Sequence, residues 1–123
     1  MQTSYDYHAD ADILEVFFTE DGATAVVNLT PDIMLHFRPE DGAAVSLVFN
    51  NFTSLIRPDE YGPRMFVLQA ARWPEPWRTV VWQILTRSPV NDWLNVTTYR
   101  PPRVHYAVPL AVVKQPQALP QFA

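Results

Sequence analysis

Between Asp12 and Phe49 the chain alternates apolar and other side chains with a period of two, and Gly, Pro and Asp interrupt the alternation at short intervals. A period of two sends every second side chain to the same side of an extended backbone, so such a segment buries one face of a sheet and cannot be a helix. In Asp12–Phe18, Leu14, Val16 and Phe18 share one side; in Ala23–Leu29 it is Ala25, Val27 and Leu29. Ile33, Leu35 and Phe37 continue the pattern opposite Met34, His36 and Arg38, and Val45, Leu47 and Phe49 close it. The punctuation is a turn at His8–Ala11, Glu20-Asp21-Gly22 as a tight hairpin signal, Thr30-Pro31-Asp32, and Pro39-Glu40-Asp41-Gly42. With the short alternating run Ser4–Tyr7, this predicts five strands connected as an antiparallel β-meander over residues 4–56.

The second half follows different rules. Thr53–Arg57 is short and Pro58–Pro63 has the composition of a loop. Arg64–Arg72 fits either a helix bounded by Pro63 and Pro74 or a strand over Met65–Leu68, and periodicity does not separate the two at that length. Pro76–Thr86 reads as a helix, with Trp77, Val80, Val81, Ile84 and Leu85 at helical spacing and Pro89 beyond. Leu94–Tyr99 and Val104–Val108 read as strands joined by a turn at Arg100-Pro101-Pro102-Arg103, and residues 114–123 as an extended, loosely held tail. The expected fold is thus α+β, mainly an antiparallel β-meander, with one or two helices between Arg64 and Thr86 packed on one face. At 123 residues the chain has the size of a single domain, 1–123, with subregions 4–56, 57–113 and 114–123.

A family likeness rests on Tyr7-His8-Ala9-Asp10-Ala11-Asp12-Ile13-Leu14-Glu15-Val16, with Asp32-Ile33-Met34-Leu35 and Glu40-Asp41-Gly42 downstream. Over residues 4–56 these resemble DUF2283, a small bacterial domain of unknown function. His8 stands where that family usually has Asp, and Ser46 where its last strand tends to carry Gly. The resemblance implies a compact β-rich fold, with no established activity and no functional residues to carry over.

Composition removes several chemistries. There is no Cys, hence no thiolate nucleophile and no Cys-type zinc site. Gly22, Gly42 and Gly62 are the only glycines and lie far apart, so neither a Walker A loop nor a dinucleotide fingerprint can form. A formal charge of −4 with a single Lys argues against a phosphate-tracking surface, so no nucleic-acid partner is expected. No apolar run approaches the roughly 20 residues that cross a bilayer. Met1–Asp12 has neither a basic nor an apolar signal region, so a cytoplasmic location without membrane association is the expectation. The acids dominate before position 56 and the Arg residues after it, which suggests that the two halves, or two protomers, pack against each other.

Two clusters are candidates for function. Asp6, His8, Asp10 and Asp12 occupy every second position, and on one continuous strand they would share a face with carboxylate and imidazole ligands suited to a divalent metal. The structural alternative is a turn at His8–Ala11, where Asp bonds the local backbone. The Gly and distal Glu of a calcium loop are missing. The second cluster, Trp73, Trp77, Trp82 and Trp93, is either core or an interaction surface. None of the Ser residues stands in a nucleophile elbow, and His36 and His105 fall in expected strands. The Asn-x-Ser/Thr sequons at Asn28, Asn51 and Asn95 carry little weight without a secretory signal. The functional expectation is a non-catalytic interaction or self-associating module, a homo-oligomer with room for an unknown protein partner and no cofactor. The alternative is a metal-binding protein or metal-dependent hydrolase centred on the four-residue acidic cluster.

Overall fold

The alternating first half forms five strands, β1 (Ser4–His8), β2 (Ile13–Phe17), β3 (Ala25–Thr30), β4 (Ile33–Arg38) and β5 (Ala43–Asn50), in a computed structural model that describes residues 3–60 and 62–114. The sheet order is β1-β2-β5-β4-β3, antiparallel throughout. The α+β, mainly antiparallel class is as expected. The hairpins β1–β2 and β3–β4–β5 are those the turn residues predict, but one connection differs: Asp21-Gly22 does not close a tight hairpin. Instead residues 18–24 cross the end of the sheet to the far edge, and β5 returns beside β2 in a Greek-key arrangement.

The crossing is short enough to be made without further structure. Three strand spacings are about 14 Å, and seven extended residues reach about 23 Å. Arg38 holds it in place, with Nη1 3.1 Å from Asp21 on the crossing segment and Nη2 2.8 Å from Asp41 in the β4–β5 turn. The Thr24 hydroxyl donates to the Glu40 carboxylate at 2.8 Å from the same side. Gly42 adopts φ 70° in that turn, where a side chain would be strained.

After β5 the chain enters a short helix, α1 (Phe52–Ile56), whose first residues follow Asn51 in the left-handed conformation. Next come β6 (Phe66–Val67), 3₁₀ turns at Ala70–Arg72 and Glu75–Trp77, helix α2 (Arg78–Leu85), a third 3₁₀ turn at Val90–Asp92, and strands β7 (Leu94–Tyr99) and β8 (Val108–Val113). The ambiguous segment from Met65 is therefore strand first and 3₁₀ afterwards. β7 has the expected bounds, whereas the last strand begins at Val108 because residues 101–107 make a longer connection than a proline turn. In it Val104 donates to the Pro101 carbonyl, Arg103 takes φ 68°, and Arg100 donates to the carbonyls of Val104 and His105. The tail expected from residue 114 lies, beyond Lys114, outside the described residues.

β6, β8 and β7 form a second, three-stranded antiparallel sheet in that order. Pro109 is tolerated inside β8 because its nitrogen faces two-residue β6; its carbonyl accepts there from the Leu68 N–H at 3.0 Å. The inner faces of both sheets, α1 and α2 bury one contiguous cluster. Leu14, Val16, Ile33, Leu35, Phe37, Leu47 and Phe49 from the large sheet meet Phe52, Val81, Leu85, Val90, Leu94 and Ala111. Each fully buried aliphatic or aromatic side chain there stabilises the fold by about 1.5–3 kcal/mol relative to exposure.

Candidate interaction surface

The acidic cluster is divided by the turn between β1 and β2. Asp6 and His8 point to the exposed face of β1, Asp10 sits exposed on the turn, and Asp12 turns toward the interior. Asp6 lies opposite Glu15 across the ladder, and His8 Nε2 is 3.5 Å from Glu15 Oε1. Asp12 adopts φ 55°, a conformation Asp tolerates better than most residues. Its carboxylate accepts from the Tyr7 hydroxyl at 2.7 Å, the Thr53 hydroxyl at 2.7 Å and the Thr53 N–H at 3.1 Å. Its backbone carbonyl accepts from the Phe52 N–H at 3.0 Å. Asp12 thereby caps α1 from 40 residues away in sequence, since Asn51 makes no side-chain cap.

Burial pushes the Asp12 carboxyl up, but the Thr53 and Tyr7 hydroxyls, the Thr53 N–H and the charge of Arg57 outweigh it and hold the group below its ordinary value. The same contact, with burial and the Asp12 charge behind it, raises Tyr7. Among the described residues no group of three or more His, Asp or Glu side chains converges as a metal site would require.

The four tryptophans divide two and two. Trp73 and Trp93 are only 2% and 3% exposed and pack within the core, the structural alternative weighed for the tryptophans. The indole Nε1 of Trp73 donates to the Asn28 carbonyl of β3 at 3.0 Å, and its ring meets Trp82 edge-on at 5.8 Å. Trp93 packs against Tyr5 of β1 at 6.5 Å. Trp77 stands perpendicular on Phe37 at 5.5 Å; Trp77 and Trp82 are half-buried and keep ring edges at the surface. The reason is geometric: the Trp73–Trp77 segment runs beside the edge of β3 and needs bulky rings to fill the gap to the sheet. His36 is half-buried on the outer face of β4, and His105 is exposed in the β7–β8 connection.

The surface that sequence reasoning missed is the outer face of the small sheet. Met65, Val67 and Tyr99, exposed by 55%, 58% and 52%, lie on it with Leu110 and Val112 from β8 and Asn95 and Thr97 from β7. None of the three strands contains a charged residue; the charged side chains that adjoin them are Arg100, directly after β7, and Lys114, directly after β8. The outer face of the large sheet is different in kind, since Ile13, Phe17, Met34 and Val48 are interleaved there with Asp6, Glu15, His36 and Arg38, as on an ordinary solvated antiparallel face. The alternation in Leu94–Tyr99 was a usable signal; in β6 and β8 the apolar run is continuous and hides which side is out.

None of the described helices is long and apolar enough to cross a membrane. Comparison with family models, with curated proteins and with solved structures matches nothing to this chain.

Proposed function

We propose that this chain is a non-catalytic interaction module that self-associates, and that it does so through the three-stranded sheet and not through the tryptophan cluster. The observation that carries the reading is the outer surface of that sheet, whose strands contain no charged residue and on which three large apolar side chains are more than half exposed. A contiguous apolar surface free of charge is unusual on a solitary chain and is a common mark of a binding face. The irregular 100–107 connection and the half-buried Trp77 and Trp82 lie outside this face and are not needed for it.

Light scattering coupled to size exclusion, run from micromolar to millimolar chain, tests the proposal. The expected result is a mass that rises with concentration to that of a dimer. A mass that stays monomeric across the range refutes it.

A further inference from the structure

Among the described residues four strand edges, those of β1, β3, β6 and β7, pair with no further strand, and three of them are protected. β1 carries Asp6 and His8, with Glu15 beside them, so a second copy placed there would meet like charge. β3 is covered in part, since Leu29 and Asn28 give their carbonyls to the Gln69 N–H and the Trp73 indole. β6 is two residues long. β7 has none of these devices: Leu94-Asn95-Val96-Thr97-Thr98-Tyr99 contains no charge, no Pro and no Gly, and consists largely of β-branched and aromatic residues.

The hydrogen-bond phase of β7 is set by its neighbour. Lys114 donates to the Trp93 carbonyl at 2.8 Å, so the ladder with β8 is bonded at Trp93 and, by alternation, at Asn95, Thr97 and Tyr99. The N–H and C=O groups of Leu94, Val96 and Thr98 therefore face away from β8, and no hydrogen bond from another described residue reaches Val96 or Thr98.

We infer that β7 pairs antiparallel with β7 of a second copy of this chain about a two-fold axis at Val96; this rests on the reading above that the chain self-associates through the small sheet, and it places the contact at the sheet's β7 edge, which sets the two outer faces side by side in one surface. In this register Val96 stands opposite itself and Leu94 opposite Thr98 in both directions, so all three outward-facing residues are bonded; a shift by two residues engages fewer. The charges at the strand ends are complementary. Asp92 is exposed just before β7 and Arg100 just after it, and the two-fold brings each Arg100 to Asp92 of the partner subunit. The guanidinium of Arg100 spends two donors on the Val104 and His105 carbonyls and retains others for a carboxylate. The two small sheets then become one six-stranded sheet, and Tyr99 lies over the start of the partner strand.

Thr98→Pro tests the edge without touching the ladder to β8, because the Thr98 N–H points outward and Pro is accepted on edge strands. Light scattering should find this variant monomeric at concentrations where the unaltered chain is dimeric, with an unchanged circular dichroism spectrum. The register is tested separately by charge. Arg100→Asp sets two acidic pairs at the interface and should raise the dimer Kd by about fivefold or more, and Asp92→Arg combined with Arg100→Asp should restore it. A folded Thr98→Pro that still dimerises overturns the β7 interface while leaving self-association standing. If Thr98→Pro does not fold, the charge pair decides: an Arg100→Asp chain that dimerises as before, or a double variant no better than the single, overturns the inference. An unaltered chain that is monomeric at every concentration overturns both readings.

Discussion

Replacing Asp12 by Ala removes three acceptor contacts and places Ala at φ 55°, and each loss has a size. Loss of the carboxylate that caps the Thr53 N–H costs about 1 kcal/mol, the usual effect of deleting a helix cap. The Tyr7 and Thr53 hydroxyls are only part-buried and can turn to water, so their two bonds contribute about 0.5–1 kcal/mol each. Holding Ala in the left-handed region adds about 1 kcal/mol. Asp12→Ala should therefore destabilise the fold by about 3 kcal/mol, a fall in Tm of roughly 12 °C for a domain of this size. Asp12→Asn keeps the backbone conformation and an acceptor for Thr53, and should lose only about 1 kcal/mol with the charge. Urea denaturation followed by circular dichroism measures both. The reasoning fails if Asp12→Ala lies within 1 kcal/mol of the unaltered chain, or if Asn is as damaging as Ala.

The acid limb of stability should follow the same contacts. Asp12 and Asp41 are both held below the ordinary carboxylate value, Asp41 chiefly by Arg38, so they contribute stability above the unfolded pKa near 4 that is lost as pH falls through their folded values. Asp12→Asn should flatten the loss of Tm in that window, and an acid limb unchanged by it contradicts the assignment. Trp73 is expected to behave as core: Trp73→Ala should cost about 3–5 kcal/mol, and Trp73→Phe about 2 kcal/mol through the smaller ring and the orphaned Asn28 carbonyl. A Trp73→Ala chain of undiminished stability but impaired self-association would return the tryptophans to the interface.

How legible these features were depends on the range of the interactions that decide them. The strands from Ile13 to Asn50 could be read because one buried face imposes strict alternation, and each strand carries its own record of that face. Their order could not, since Asp21-Gly22 satisfies a hairpin and a crossing loop equally; Arg38, which holds the crossing, is informative only once β4 and the loop are side by side. The Asp6–Asp12 run shows the same limit. Spacing alone supports a shared face, but the φ of Asp12 and the arrival of Thr53 from the far end of β5 put that carboxylate to work as a cap. In the second half, β6 draws its strand character almost wholly from β8, so Met65–Leu68 had no local pattern to reveal it.

The excess of Arg after position 56 also takes a different meaning from the fold. Among the described residues the ion pairs lie within the first half, formed by His8 with Glu15 and by Arg38 with Asp21 and Asp41. Three Arg side chains of the second half donate instead to backbone carbonyls: Arg64 to Ser54, Arg78 to Trp73 and Ala71, Arg100 to Val104 and His105. Residues 57–93 and 100–107 are mostly loop, 3₁₀ turn and helix end, which leave carbonyls without a regular ladder. A guanidinium with five donors in a fixed fork can close such a loop where a single Lys ammonium would hold it less firmly. The halves are joined chiefly by the apolar cluster, with the charge of Arg57 acting on Asp12 across them, and Arg64, Arg78 and Arg100 serve the irregular backbone.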